Sequence, residues 1–151
     1  MNPYHLATMT NDLKSHTSSV DIRVRYSECD PMGVAHHSIY PVWFEMGRTE
    51  LLRDTSTRTY RDMEAQGAFL VVASLEIKYR RAARYDEKLT LQTSLLEVGR
   101  AKIRHAYELR RDKEIIATGA TTLACVNAQG SVIPLPDWLT DSITNENAAG
   151  P

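Results

Sequence analysis

Between residues 26 and 45 the chain reads YSECDPMGVAHHSIYPVWFE, a segment that gathers a thiol (Cys29), a carboxylate (Asp30), two adjacent imidazoles (His36 and His37) and a second carboxylate (Glu45). Asp30 is followed by Pro31 and Gly33, which turn and stiffen a loop. The loop leads into an apolar stretch at helical spacing. A helix start presents unpaired N–H groups and the positive end of the dipole. A carboxylate beside such an entrance suits attack on a neutral carbonyl. The N–H groups would hold the developing oxyanion, and the carboxylate would attack directly or take a proton from water. With a reference pKa of about 4, Asp30 is ionised at neutral pH and ready for either role. From spacing alone it can equally be a loop carboxylate that caps an Asp-Pro turn.

The neighbouring groups have plainer readings. Cys29 has no evident His–acid pair to activate it, and on an extended segment it points away from Asp30, so it is expected to pack. His36 and His37 would face different sides, and no further ligands stand at suitable spacing, so no metal is expected. Glu45 on a helix is expected to pair with Arg48 or Thr49. Lys78, Arg80, Arg81, Arg84, Arg100, Lys102 and Arg104 are the main basic concentration. They suit phosphate binding or a solvated sheet face.

The elements that would position these groups follow from periodicity. Ile22, Val24 and Tyr26 alternate with Arg23 and Arg25, which predicts a strand. A helix is expected over Ser38–Asp54, with Ser38 as cap and Pro41 in its first turn. Its first turns are apolar over most of their circumference, as in a buried helix, and Gly47 allows a close approach. A short helix is expected between Thr57 and Gln66. Four strands follow, from Phe69 to Arg80, Leu89 to Leu95, Lys102 to Leu109 and Ile115 to Val126. The short links VGR, RDK and NAQG imply antiparallel neighbours. The order predicts an α+β fold, a curved antiparallel sheet wrapped around one long helix, with an uncovered face or edge buried by a second subunit. One domain is expected over 21–139, with a mobile arm at 1–20 and a mobile tail at 140–151.

Composition limits the function classes. The 151 residues are 42% hydrophobic and 25% charged, with a formal net charge of -1. That balance is globular and lacks the basic excess of a nucleic-acid binder. Two cysteines make no disulfide framework. The first residues carry no apolar core like that of a signal peptide, and no run of about 18 apolar residues occurs. A cytoplasmic protein is expected.

The string RVRYSECDPMGVAHHSIYPVWFEMGRTELLR, residues 23–53, closely resembles the signature of the 4-hydroxybenzoyl-CoA thioesterase family. Arg23, Val24, Cys29, Asp30, Gly33 and Val34 fall on its characteristic positions. IKYRRAARYDEKLTL and VNAQGSVIPLP resemble the family's later blocks, so the likeness spans residues 22 to about 136. It implies a hotdog fold, a homodimer or homotetramer with sites at the subunit interface, and hydrolysis of an acyl-CoA without a cofactor. It implies Asp30 as catalytic carboxylate and His37 as the site's backbone oxyanion donor, its side chain also at the site. Tyr26, Gly33, Val34, Tyr40 and Trp43 would line the pocket, and Arg100 and Lys102 would meet the CoA phosphates. The sequence departs from the family at His36, Ile39 and Ala82; the first two alter the pocket wall. The alternatives are a dehydratase or hydratase of the same fold, whose Gly-His-Phe-Pro string is absent, and a non-catalytic acyl-CoA-binding module.

Overall fold

The computed structural model describes residues 16–145. The elements run β1 (Thr17–Arg23), a 3-10 turn (Tyr26–Glu28), a second 3-10 turn (His37–Ile39), α1 (Tyr40–Thr55), α2 (Tyr60–Ala65), β2 (Phe69–Tyr79), β3 (Lys88–Val98), β4 (Lys102–Arg111), β5 (Glu114–Val126) and α3 (Asp137–Asn145). All five strands form one antiparallel sheet in the order β1-β3-β4-β5-β2. The two short links join hairpin neighbours as their length requires. The return from β2 to β3 crosses the sheet and leaves β2 at an edge.

α1 lies on one face of this sheet, across β1 and β3. Trp43 and Phe44 are buried in one core cluster with Leu89, Leu91 and Leu109, and Leu51 and Leu52 in a second with Leu95 and Ile103. Phe44 stacks on Tyr107 with ring centroids 4.3 Å apart and planes 5° from parallel. Gly47 is where the helix comes closest. A Cβ built there would overlap Thr93 Oγ1 and sit 2.7 Å from Leu91 Cδ2 on β3.

Several expectations shift. β1 begins at Thr17, inside the expected arm, because Thr17–Arg23 pairs in register with Ser94–Lys88. Its first residues are polar, so apolar alternation could not mark them; Ser18 is instead tied to α1 by a 2.6 Å bond to Asp54 Oδ2. α3 likewise crosses the boundary expected at 139/140. The rest of the expected arm and tail falls mostly outside the described residues. Tyr26 is not in a strand, since Glu28 reaches back to the Arg25 N–H and winds the chain into a turn. Nor is α1 enclosed all round: Val42 and Met46 remain 45% and 44% exposed on its outer face.

Candidate active site

The 3-10 turn after β1 delivers the chain into a small hairpin that carries Asp30. Its base is closed by a Cys29–Ala35 bridge and by the His36 N–H donating to the Glu28 carbonyl at 2.8 Å. Within it the Asp30 N–H donates to the Val34 carbonyl and the Gly33 N–H to the Asp30 carbonyl, both at 2.9 Å. Gly33 adopts φ 75°, a left-handed conformation that suits glycine. The hairpin rests on the segment after β2: Ala35 N–H donates to the Ala83 carbonyl at 2.7 Å and Tyr85 N–H to the Gly33 carbonyl at 3.2 Å.

The half-buried Asp30 carboxylate is held through one oxygen. Oδ1 accepts from the Met32 N–H at 2.8 Å and the Val34 N–H at 3.4 Å. Oδ2 takes no hydrogen bond among the described residues. The turn-capping and the chemical readings of Asp30 are therefore compatible: one oxygen caps and the other is available.

The hairpin ends at the helix entrance. Ser38, the expected helix cap, lies inside the 3-10 turn instead; α1 starts from Ile39 with no side-chain cap, and the turn is capped by His36, whose Nδ1 accepts from the Ser38 N–H at 3.2 Å. An imidazole can serve because the 3-10 turn brings the N–H two residues on within reach. The Ile39 N–H donates to the His36 carbonyl. The His37 N–H, first of the turn, has no acceptor among the described residues, as helix-start donors have none within the helix. The His37 carbonyl accepts from the Tyr79 hydroxyl of β2 at 2.7 Å, so the β-sheet edge props this turn. The His37 ring is exposed and lies 4.2 Å from that of His36.

Beneath this surface sits Glu28, which is buried. Its Oε1 accepts from the Arg25 N–H at 2.8 Å and its Oε2 from the Trp43 indole at 3.0 Å and the Arg25 guanidinium at 3.3 Å. Burial pushes the carboxyl pKa up, but the bonds from the Arg25 side chain and backbone and from Trp43 outweigh it, and the group is held below its ordinary value. Sequence reading passed over Glu28, since nothing in its spacing marks a buried acid; the one signal was its place three residues after Arg25, at capping-box distance.

The other expected site residues separate into three groups. Gly33 and Val34 belong to the hairpin, and Tyr26, 81% exposed, stands beside it, its ring edge-on to Tyr85 at 5.6 Å. Tyr40 and Trp43 are buried core residues with rings 5.1 Å apart, packed under the entrance. Arg100 and Lys102 lie at the opposite end of the sheet. Tyr79, beside His37, is paired with Ala117, whereas Lys102 is paired with Ala124, which at the strand rise puts their rows about 24 Å apart.

Cys29 packs against the core and points its Sγ at the Arg25 carbonyl, 3.5 Å away. Burial and the Asp30 and Glu28 carboxylates push its thiol pKa up, which suits packing rather than nucleophilic chemistry. Glu45 pairs with Arg48 at 3.3 Å, as expected. Arg48 itself is buried and borders two cavities. The larger, about 270 Å³, is walled by Glu45, Thr49, Tyr60, Met63 and Leu70 among others. The smaller, about 30 Å³, reaches His105. Neither includes Asp30 or His37. Burial, and then the Arg48 charge, push the His105 pKa down to about 4, and its Nδ1 has no hydrogen-bond partner among the described residues. No three His, Cys, Asp or Glu side chains group as metal ligands among the described residues. No helix there is long and apolar enough to cross a membrane.

Known proteins share this chain's sequence pattern and fold. YneP of Bacillus subtilis, named provisionally as an acyl-CoA thioesterase, is 33% identical over 132 residues, covering 83% of this chain and 94% of its own. The acyl-CoA thioesterase YbgC of Haemophilus influenzae is 34% identical over 109 residues, covering 72% and 80%. Among solved structures, a DHNA-CoA thioesterase from Staphylococcus aureus superposes with a TM-score of 0.81 at 30% identity, over 87% of this chain and 91% of that one. A 4-hydroxybenzoyl-CoA thioesterase, at 16% identity and a TM-score of 0.74, shares the hotdog fold. A family profile matches residues 24–143, nearly all of the described chain, and with these relatives it shows that the protein belongs to the thioesterase-like superfamily.

Proposed function

We propose that this chain hydrolyses an acyl-CoA thioester to the free acid and CoA, with Asp30 as nucleophile or general base and the His37 N–H as oxyanion donor. One observation carries the reading: a single short hairpin bears a carboxylate with one uncommitted oxygen and ends on a helix-entrance N–H with no acceptor. A thioester carbonyl whose oxygen meets that N–H would lose little geometry as charge develops on it. As general base, Asp30 takes a proton from water, the hydroxide adds to the carbonyl carbon, and the tetrahedral state expels the CoA thiolate. As nucleophile, Asp30 adds to the carbonyl carbon, the C–S bond breaks to expel the CoA thiolate, and the resulting mixed anhydride is opened by water. Oxygen-18 from solvent enters Asp30 during a single turnover only in the second case.

Assembly belongs to the same proposal. In one chain the Asp30 hairpin lines neither of the two cavities beside Arg48, and β2 and the outer face of α1 are open. A second copy adding antiparallel along β2 would close both. The two-fold would also reverse the partner sheet, so that a second copy's Arg100 and Lys102 point toward the same end as this chain's Asp30, where CoA phosphates need them. Such a unit is a homodimer, or half of a homotetramer, working in the cytoplasm, where Cys29 and Cys125 stay reduced.

The test is hydrolysis of an acyl-CoA panel followed by free thiol. Asp30→Asn should lower kcat by about 10²–10⁴-fold with the fold intact. Near-normal turnover in that variant would remove Asp30 from its role, and a wild type inert toward every acyl-CoA would defeat the reading.

A further inference from the structure

Glu28 touches three separate pieces of the chain at once. Its carboxylate accepts from the Arg25 N–H at the exit of β1 and from the Trp43 indole inside α1. Its carbonyl accepts from the His36 N–H on the returning limb of the hairpin. Asp30 lies between those limbs, and His37 follows the second. Without the Glu28 carboxylate, the hairpin keeps its turn bonds, the backbone bond from the His36 N–H to the residue 28 carbonyl and its contact with residues 83–85, and loses its tie to α1. The core has no need of an acid here: a buried carboxylate is expensive unless several donors surround it, and an apolar residue would fill the volume at less cost.

We propose that Glu28 is a positioning residue for the reaction: its buried carboxylate locks the hairpin carrying Asp30 onto the first turns of α1 and so fixes that carboxylate relative to the His37 N–H. This rests on the hydrolytic reading above, and it adds a residue that never meets the substrate. The chemistry of the clamp is specific. All three groups reaching the Glu28 carboxylate are donors, namely the Arg25 amide, the Trp43 indole and the Arg25 guanidinium. Glu28→Gln keeps shape and volume but turns one acceptor into an NH2, which must face a donor. The hairpin should then come loose while the sheet, held by its own ladder, does not.

Amide hydrogen exchange and kinetics on the full chain test this together. In Glu28→Gln the amides of Asp30, Gly33, Ala35 and His36 should exchange at least about 10-fold faster, while those of Leu91, Leu109 and Leu123 keep their protection. The kcat should fall by about 10- to 100-fold, the scale of a displacement near 1 Å, with KM changed by less than about 3-fold. On an Asp30→Asn background the same substitution should cost little more, because the group it positions is gone. Unchanged exchange in the hairpin would overturn the clamp. Loss of protection throughout the sheet would reduce Glu28 to a structural acid, and so would a full repeat of the kcat loss on the Asp30→Asn background. Intact hydrolysis in Asp30→Asn alone would instead strike the catalytic reading, whatever the exchange of the hairpin shows.

Discussion

Two carboxylates two residues apart meet opposite environments. Glu28 is buried and saturated with donors, whereas Asp30 is half-buried and keeps one oxygen uncommitted. In the proposed reaction that contrast divides the work between holding and reacting. His105 shows what burial does to an imidazole beside a cation. Its ring is neutral in the fold, with burial and the Arg48 guanidinium pushing its pKa down to about 4 from an ordinary value of 6.5. The unfolded chain therefore binds a proton that the folded chain refuses, and stability falls as pH drops through the window from about 6.5 to 4. By pH 4.5 the loss should approach about 2–3 kcal/mol. Urea midpoints at pH 7 and 4.5 check this against His105→Leu, which should lack that component of acid sensitivity. Equal pH dependence in the two proteins would show that the imidazole titrates normally.

Among the elements, α1 does most of the positioning, and its distance from the sheet is set at Gly47. The helix would gain up to about 1 kcal/mol of propensity from alanine there. The added methyl, however, meets Thr93 and Leu91 on β3, both fully buried. Overpacking of this kind costs about 1–3 kcal/mol. Gly47→Ala should therefore be less stable by roughly 1 kcal/mol, seen as a lower urea midpoint at unchanged slope. A more stable variant would mean that β3 yields without strain. The entrance of α1 shows the same dependence on neighbours: the 3-10 turn that leads into it is capped by His36 and propped by Tyr79 from an edge strand, so the His37 N–H, proposed above as oxyanion donor, is aimed partly from β2.

For the molecule as a whole, the edge strand matters most. Val71, Val72, Leu75 and Tyr79 are all exposed on β2, and an open apolar edge invites another strand. If a second copy adds there, Val72→Asp should halve the sedimenting mass. Hydrolysis should fall with it, because the site is then open and the partner's basic residues are gone. A monomeric variant with full activity would confine the site to one chain. A wild type that sediments as a monomer would leave the edge unpaired.

How much of this was legible in the sequence depends on the range of the interaction. Period-two and period-3.6 patterns placed α1 and four of the five strands, because those patterns are local consequences of burying one face. The motif around Asp30 was legible for the same reason: Pro31, Gly33 and the helix start act within a few residues. Glu28, the buried pair of Arg48 and His105, the exposure of β2 and the 24 Å offset of Lys102 were not, since each follows from which strands become neighbours. The sequence by itself determined α1, four of the strands and the hairpin that carries Asp30. Only the tertiary structure decided which acid is buried beneath it, which histidine is kept neutral and which edge is left open, because desolvation and strand order are properties of the assembled chain and of no segment within it.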